Sequence, residues 1–203
     1  MASFVIGVMG KKRSGKDTFA SQLINAHGFT QVRFADPLRE MLKALDPIVY
    51  NDDDGYTDVR LSNVLGPDDD WETAKELPEV RRLMQRIGTE AGRDVLGDDV
   101  WTNAALRKIN EIDGPVVVTD VRFPNEYDLV EDILDGWTVR ISRPSLIRPA
   151  ILEHASETAL DEHFPRYEII NDGTVGDLHL AADRLVADWR AYEAAGVLQY
   201  AVI

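Results

Sequence analysis

An apolar run, "SFVIGVM" (3–9), leads directly into "GKKRSGKDT" (10–18), and the helical pattern "GKDTFASQLINAHG" (15–28) follows it to a glycine stop. A continuous apolar run suits a parallel strand covered on both faces, and the spacing of apolar residues after Gly15 suits a helix. Strand, glycine loop and helix in that order restrict the chain to an α/β architecture whose first loop can wrap an anion. The backbone N–H groups of residues 11–16 would surround it, and the helix would add the positive end of its dipole. The spacing from Gly10 to Gly15 and Lys16 is that of a phosphate-binding P-loop, in which the lysine reaches β- and γ-phosphate oxygens as a point charge. Gly10, Arg13, Ser14, Gly15, Lys16, Asp17 and Thr18 are therefore the candidate donor-nucleotide residues. One position departs from the pattern: Asp17 stands where a Ser or Thr ordinarily meets Mg²⁺.

The rest of the chain alternates strands with helices. "TQVRFA" (30–35) reads as a strand and "DPLREMLKAL" (36–45) as a helix with Asp36 as N-cap and Pro37 in its first turn. From 47 to 77 the pattern breaks down into an acidic, partly ordered insertion. "EVRRLMQRIGTEAGRDVL" (79–96) puts Val80, Leu83, Met84 and Ile87 on one helical face, with interruptions expected at Gly88 and Gly92, and "DVWTNAALRKINEI" (99–112) is a second helix. "PVVVTDVR" (115–122), "WTVRIS" (137–142) and "YEIINDG" (167–173) read as strands. "NEYDLVEDILDG" (125–136) and 175–195 read as helices, and 143–166 as a mobile connection with some helix. The alternation predicts an α/β fold with a mostly parallel sheet covered by helices on both faces.

A chain of 203 residues suits one domain, 1–203, with insertions. Its net charge of -14 opposes binding of a nucleic acid polymer, so the local excess of Lys11, Lys12, Arg13 and Lys16 points to a compact anion. Without cysteine it forms neither disulfides nor thiolate metal sites, as expected of a cytoplasmic protein. The apolar start is short and lacks a basic flank, so it reads as a buried strand rather than a signal peptide, and no stretch predicts a membrane span. The acidic runs Asp52–Asp54 and Asp68–Asp70 read as solvated loops rather than metal clusters.

"GKKRSGKDT" resembles the loop of phage-type deoxynucleoside monophosphate kinases, where an aspartate follows the lysine and a threonine comes next. Segments similar to that family recur in its order: "FADPLRE" (34–40), "VRRLMQRIGTEAGRD" (80–94), "VVVTDVRFPNE" (116–126), "HASE" (154–157) and "IINDGTVGDL" (169–178). The resemblance implies a three-layer P-loop kinase fold with an acceptor-binding insertion at about 36–112 and a lid at about 143–166. It implies ATP as donor with Mg²⁺, a deoxynucleoside monophosphate as acceptor and, for a phage-encoded chain, the host cytoplasm. A monomer and a homodimer are both compatible with it.

Asp120, at the carboxyl end of a buried strand, sits where such a fold places a carboxylate near Mg²⁺, and Arg122 would point into the same crevice. Asp36 and Arg39 match the family's acceptor-binding helix start, with the Arg39 guanidinium suited to gripping a phosphate. Arg82, Gln85, Arg86 and Arg93 offer planar donors to the acceptor, one or two of them facing it. By resemblance, Arg143 and Arg148 belong to the lid, His154 and Glu157 to an "HxSE" element, and Asn171 and Gly173 to the loop beside the donor's adenine. The direct Mg²⁺ ligand stays open between Thr18 and a water held by Asp17 or Asp120. The rival readings are a phosphomevalonate or dephospho-CoA kinase of the same fold and a non-catalytic nucleotide-binding module. The guanine-reading motif of GTPases is missing.

Overall fold

The computed structural model describes residues 2–51, 57–145 and 158–200. The elements run β1 (Ala2–Met9), α1 (Lys16–His27), β2 (Thr30–Val32), α2 (Asp36–Leu45), β3 (Ile48–Asn51), β4 (Asp58–Arg60), α3 (Leu61–Leu65), α4 (Trp71–Ala74) and α5 (Pro78–Arg86). α5 continues through a π-helical segment, Ile87–Arg93, into α6 (Asp94–Leu96). After α7 (Val100–Asn110) come β5 (Gly114–Val121), α8 (Pro124–Asp128) with a π-helical turn at Leu129–Ile133, β6 (Trp137–Ser142), β7 (Tyr167–Ile170) and α9 (Val175–Tyr200). Contacts divide the chain into two compact units, Met1–Arg33 with Leu106–Ile203, and Phe34–Ala105.

In the first unit the described strands form one sheet in the order β2-β5-β1-β6-β7, every neighbouring pair parallel. The apolar runs of β1 and β5 belong to interior strands with both faces covered, which is why they show no alternation. On one face Ile6, Val8, Val139 and Ile141 pack with Phe19 and Leu23 of α1 and with Leu178, Ala182 and Leu185 of α9. α1 and α9 are also tied by Asp183, which accepts from Gln22 at 2.8 Å and meets His27 Nε2 at 2.8 Å. On the other face Val130 packs so closely on Gly7 that a Cβ there would lie 3.0 Å from its Cγ2. The three layers follow, as expected. Among the described residues no helix is long and apolar enough to cross a membrane.

Two local readings change. The second strand stops at Val32, short of Ala35. Asp36 is the first helical residue, not the N-cap; Ala35 holds that place, and Asp36 makes an i,i+3 pair with Arg39 at 3.8 Å.

The second unit is built on Leu38, Leu42, Val49, Leu61, Trp71, Val80 and Trp101. Much of the acidic stretch expected to be only partly ordered is structured: β3 and β4 pair antiparallel, Asp70 caps α4 by accepting from Thr73 N at 3.1 Å, and Asp69 pairs with Lys43 at 2.6 Å. Asp52–Asp54 lie outside the described residues.

Gly88 and Gly92 do not interrupt their helix. They are packing glycines: the Gly88 carbonyl accepts from Trp101 Nε1 at 2.8 Å, and a Cβ on Gly92 would run into the same indole. The wider π-helical winding frees a carbonyl that the indole takes up. Gly92→Ala is therefore expected to destabilise the protein by about 1–3 kcal/mol, the usual cost of overpacking. Gly88→Ala meets only the end of the Leu38 side chain, Cδ1 at 3.2 Å, and a gain in helix propensity of about 1 kcal/mol offsets it. Urea unfolding of both variants checks the contrast: a large loss for the first, near zero for the second.

Candidate active site

The loop after β1 turns through three left-handed positions, Gly10 at φ 139°, Arg13 at φ 68° and Gly15 at φ 108°. Both glycines are also held by close approach. A Cβ on Gly10 would collide with the Ile141 carbonyl oxygen, and one on Gly15 would lie 2.5 Å from Asn171 Nδ2 and 2.9 Å from Leu178 Cδ2. Ser14 N donates to Lys11 O at 3.1 Å, closing the turn. The Lys16 ammonium folds back over the loop and donates to Gly10 O at 2.5 Å and Lys11 O at 2.9 Å. Ser14 Oγ, in a residue only 1% exposed, has no hydrogen-bond partner among the described residues, an orphaned donor of the kind that a ligand completes.

Asn171 supports this loop from beneath. Its backbone N–H donates to Ser142 O and its side-chain Nδ2 donates to Ser14 O, each at 2.7 Å. Gly173 opens the next turn, where Asp177 accepts from Thr174 N at 2.8 Å and from its hydroxyl at 2.7 Å. Those bonds hold the Asp177 carboxyl below its ordinary range.

Beside the loop lies a cavity of about 260 Å³, lined by Gly10, Lys11 and Ser14 together with Arg122, Arg140 and Arg143. It sits at the carboxyl ends of β5, β1 and β6, where the strand order reverses and α/β sheets take their ligands. Glu126, 3% exposed, shapes the turn after β5: its Oε2 accepts from Arg122 N at 2.7 Å and from Phe123 N at 3.1 Å. Asp120 is half-buried near the end of β5, where the register with β1 is irregular.

Asp17 is exposed in the first turn of α1, a favourable place for a carboxylate at the positive end of the helix dipole, and Thr18 is half-buried. Among the described residues no group of three or more His, Asp or Glu forms a metal site of its own. Mg²⁺ carried on nucleotide phosphates needs only one or two protein oxygens. Asp17, Thr18 and Asp120 are hard-oxygen donors of the type that fits it.

The structure thus brings Gly10, Ser14, Arg122 and Arg143 around one cavity and sets Asn171 under the loop. Asp36, Arg39, Arg82, Gln85, Arg86 and Arg93 belong to the second unit. Arg39 is 13% exposed by its side chain, and its guanidinium lies 5.5 Å from the Trp71 ring centre. Arg82 and Arg86 are exposed and paired on their own helix, Arg82 with Glu79 at 2.6 Å and Arg86 with Glu90 at 2.9 Å. The Arg82 hydrogen bonds hold the Glu79 carboxyl below its ordinary range. Gln85 is exposed and Arg93 half-buried. Arg148, His154 and Glu157 lie outside the described residues. Arg140, Glu126 and the side-chain bond of Asn171 were not anticipated from sequence; the available sign of Arg140 was a lone charge inside the apolar run "WTVRIS".

The Asn171 strut makes a test. Asn171→Ala leaves Ser14 O without its donor, an expected loss of about 1–2 kcal/mol of stability read by urea unfolding. Asn171→Asp removes the donor and sets a carboxylate against the Ser14 carbonyl oxygen, so it should lose more.

The profile of the family described as deoxynucleotide monophosphate kinase matches residues 48–181. A putative deoxynucleotide monophosphate kinase of Acanthamoeba polyphaga mimivirus is 31% identical over 191 residues, covering 86% of this chain and 92% of that protein. A deoxynucleoside-5'-monophosphate kinase of Escherichia phage T5 is 29% identical over 96 residues, 45% of this chain and 38% of that protein. Among solved structures, a dephospho-CoA kinase from Campylobacter jejuni aligns with TM-score 0.47 and 16% identity over 91% of this chain and 96% of that one, a likeness too distant to bear on the reaction. With most of the chain matched by the family profile and by a relative of nearly the same length, this chain belongs to the deoxynucleotide monophosphate kinase family.

Proposed function

We propose that the loop 10–18 holds ATP with Mg²⁺, and that in the cavity beside it the γ-phosphoryl group passes to the phosphate of a deoxynucleoside monophosphate. The observation that supports this most directly is the orphaned Ser14 hydroxyl beneath a glycine loop whose neighbouring cavity carries Arg122, Arg140 and Arg143. In the transfer, an oxygen of the acceptor phosphate bonds to the γ phosphorus. The bond from that phosphorus to the β–γ bridging oxygen breaks, and its electrons leave with ADP. The acceptor phosphate is largely dianionic at neutral pH, its second pKa lying near about 6, so no general base is required. Alignment and charge neutralisation remain as the work of the protein.

In this reading Lys16 and the loop N–H groups bind the β- and γ-phosphates, and Arg122 and Arg143 meet charge on the phosphoryl group in transit. Thr18, or a water held by Asp17 or Asp120, would be the protein's contribution to holding Mg²⁺. Bound Mg²⁺ would neutralise phosphate charge. Asn171 fixes the loop, and the turn at Gly173 borders the adenine. The unit Phe34–Ala105 serves as the acceptor-binding part, with Arg39, preceded by Asp36, on the acceptor phosphate and donors among Arg82, Gln85, Arg86 and Arg93 for the rest. The protein works as a cytoplasmic enzyme on small nucleotides.

Purified protein with ATP and Mg²⁺ should release ADP with at least one of dGMP, dTMP, dCMP or dAMP. It should discriminate against the matching ribonucleotide by about 10² in kcat/KM, the scale reached when shape alone excludes a hydroxyl. Turnover on 5-phosphomevalonate or dephospho-CoA with silence on all four deoxynucleotides would overturn the acceptor assignment. Lys16→Ala should lower kcat by about 10² or more, roughly 3 kcal/mol of oriented electrostatic stabilisation. Near-normal turnover at saturating ATP would sink the role given to the loop.

A further inference from the structure

Arg140 has no part in the roles set out above, yet it faces the cavity that carries them. It lies on β6 directly opposite Met9 of β1, one residue before the loop begins. Its neighbours in the cavity wall include Lys11, Arg122, Arg143 and the carboxylate Asp161. Among the described residues its hydrogen bonds both leave from one nitrogen: Nη2 donates to Leu160 O at 2.6 Å and to His163 O at 2.7 Å. The side chain as a whole is half-buried.

A guanidinium has five N–H donors in a rigid fork. Anchoring one nitrogen on two carbonyls fixes the plane of the whole group, and because carbonyls are neutral these two bonds leave its charge uncancelled. A cation oriented in advance and aimed at a cavity is the arrangement that stabilises charge moving during phosphoryl transfer without reorganising at that moment.

We propose that Arg140 is a further catalytic arginine of this enzyme: its Nε and Nη1 groups donate to oxygens of the phosphoryl group in the cavity, and the carbonyls of Leu160 and His163 hold it in position. The proposal rests on the kinase reading above. It adds to that reading a contact from within β6, on the opposite side of β1 from Arg122.

The same turn has a second anchor, the Tyr127 hydroxyl donating to Phe164 O at 2.8 Å, and this provides the control. With the deoxynucleotide that wild type uses best, Arg140→Met should lower kcat by about 10² or more, the scale for losing one oriented donor, with the KM for ATP changing by less. Tyr127→Phe, which loosens the turn without touching the cavity, should stay within about threefold of wild type. Free guanidinium ion should restore part of the rate of Arg140→Ala. In calorimetry, Arg140→Met should lose affinity for a bisubstrate analogue, a deoxynucleoside joined to adenosine through five phosphates, while keeping its affinity for ADP. If wild type turns over and Arg140→Met matches it, or Tyr127→Phe loses as much as Arg140→Met, the assignment of Arg140 falls and the kinase reading stands. If wild type is silent on every deoxynucleotide and ignores the bisubstrate analogue, both fall together.

Discussion

The position of β1 between two parallel partners decides what can gather at the site. Parallel strands all deliver their following loops to the same edge, and neighbours lie only about 4.8 Å apart. With Met9 opposite Val121 on one side and Arg140 on the other, the glycine loop, Arg122 and the Ser142–Arg143 pair must leave the sheet together. The cavity is a consequence of that topology. The apolar register that buries Ile6 and Val8 against α1 and α9 is therefore also what sets the distance between the phosphate loop and the arginines. A slip of one residue would turn every side chain of β1 to the opposite face.

The charges of the two units are managed in different ways. Arg82 and Arg86 of the second unit are exposed and neutralised by Glu79 and Glu90 on their own helix, and such surface pairs contribute little to stability. Arg140 is anchored by main-chain carbonyls instead, which orient it without cancelling its charge. In a chain of net charge -14, local positive potential persists only where cations are kept from carboxylates. The carbonyl anchors do this. Glu126 does a related task, since it spends its buried oxygen on the N–H groups of Arg122 and Phe123 and so fixes the course of the backbone that carries Arg122.

The second unit shows how far local reading reaches. Its helix α5 follows from apolar spacing, and Val80, Leu83, Met84 and Ile87 do face its core as the period requires, whereas α3 and α4 lie in the stretch where that pattern breaks down. The role of its glycines did not follow. In isolation a glycine lowers helix propensity, so Gly88 and Gly92 read as breaks. Against the Trp101 indole the missing Cβ becomes the condition for packing, and the helix runs on in π form. The acidic stretch misleads for a similar reason. Charge density predicts solvation, and Asp69 and Asp70 are exposed, but each is also ordered by a partner, one by Lys43 and one by the first turn of α4.

By itself the sequence determined the first strand, its glycine loop and the alternation that follows, because these depend on neighbours in the chain. The apolar run of β1, the glycines that permit φ of 139° and 108°, and the lysine one residue further on lie within a short segment, and local sterics and burial decide them wherever that segment is placed. The alternation of strands and helices, and with it the parallel sheet, follows from the same short-range periodicities. Only the tertiary structure decided which distant groups complete the loop. Asn171 reaches Ser14 across 157 positions, and Arg140 joins Arg122 because two strands separated by a helix flank the same central strand. No periodicity carries such pairings, because they are set by the order in which strands enter the sheet and by the packing that holds it.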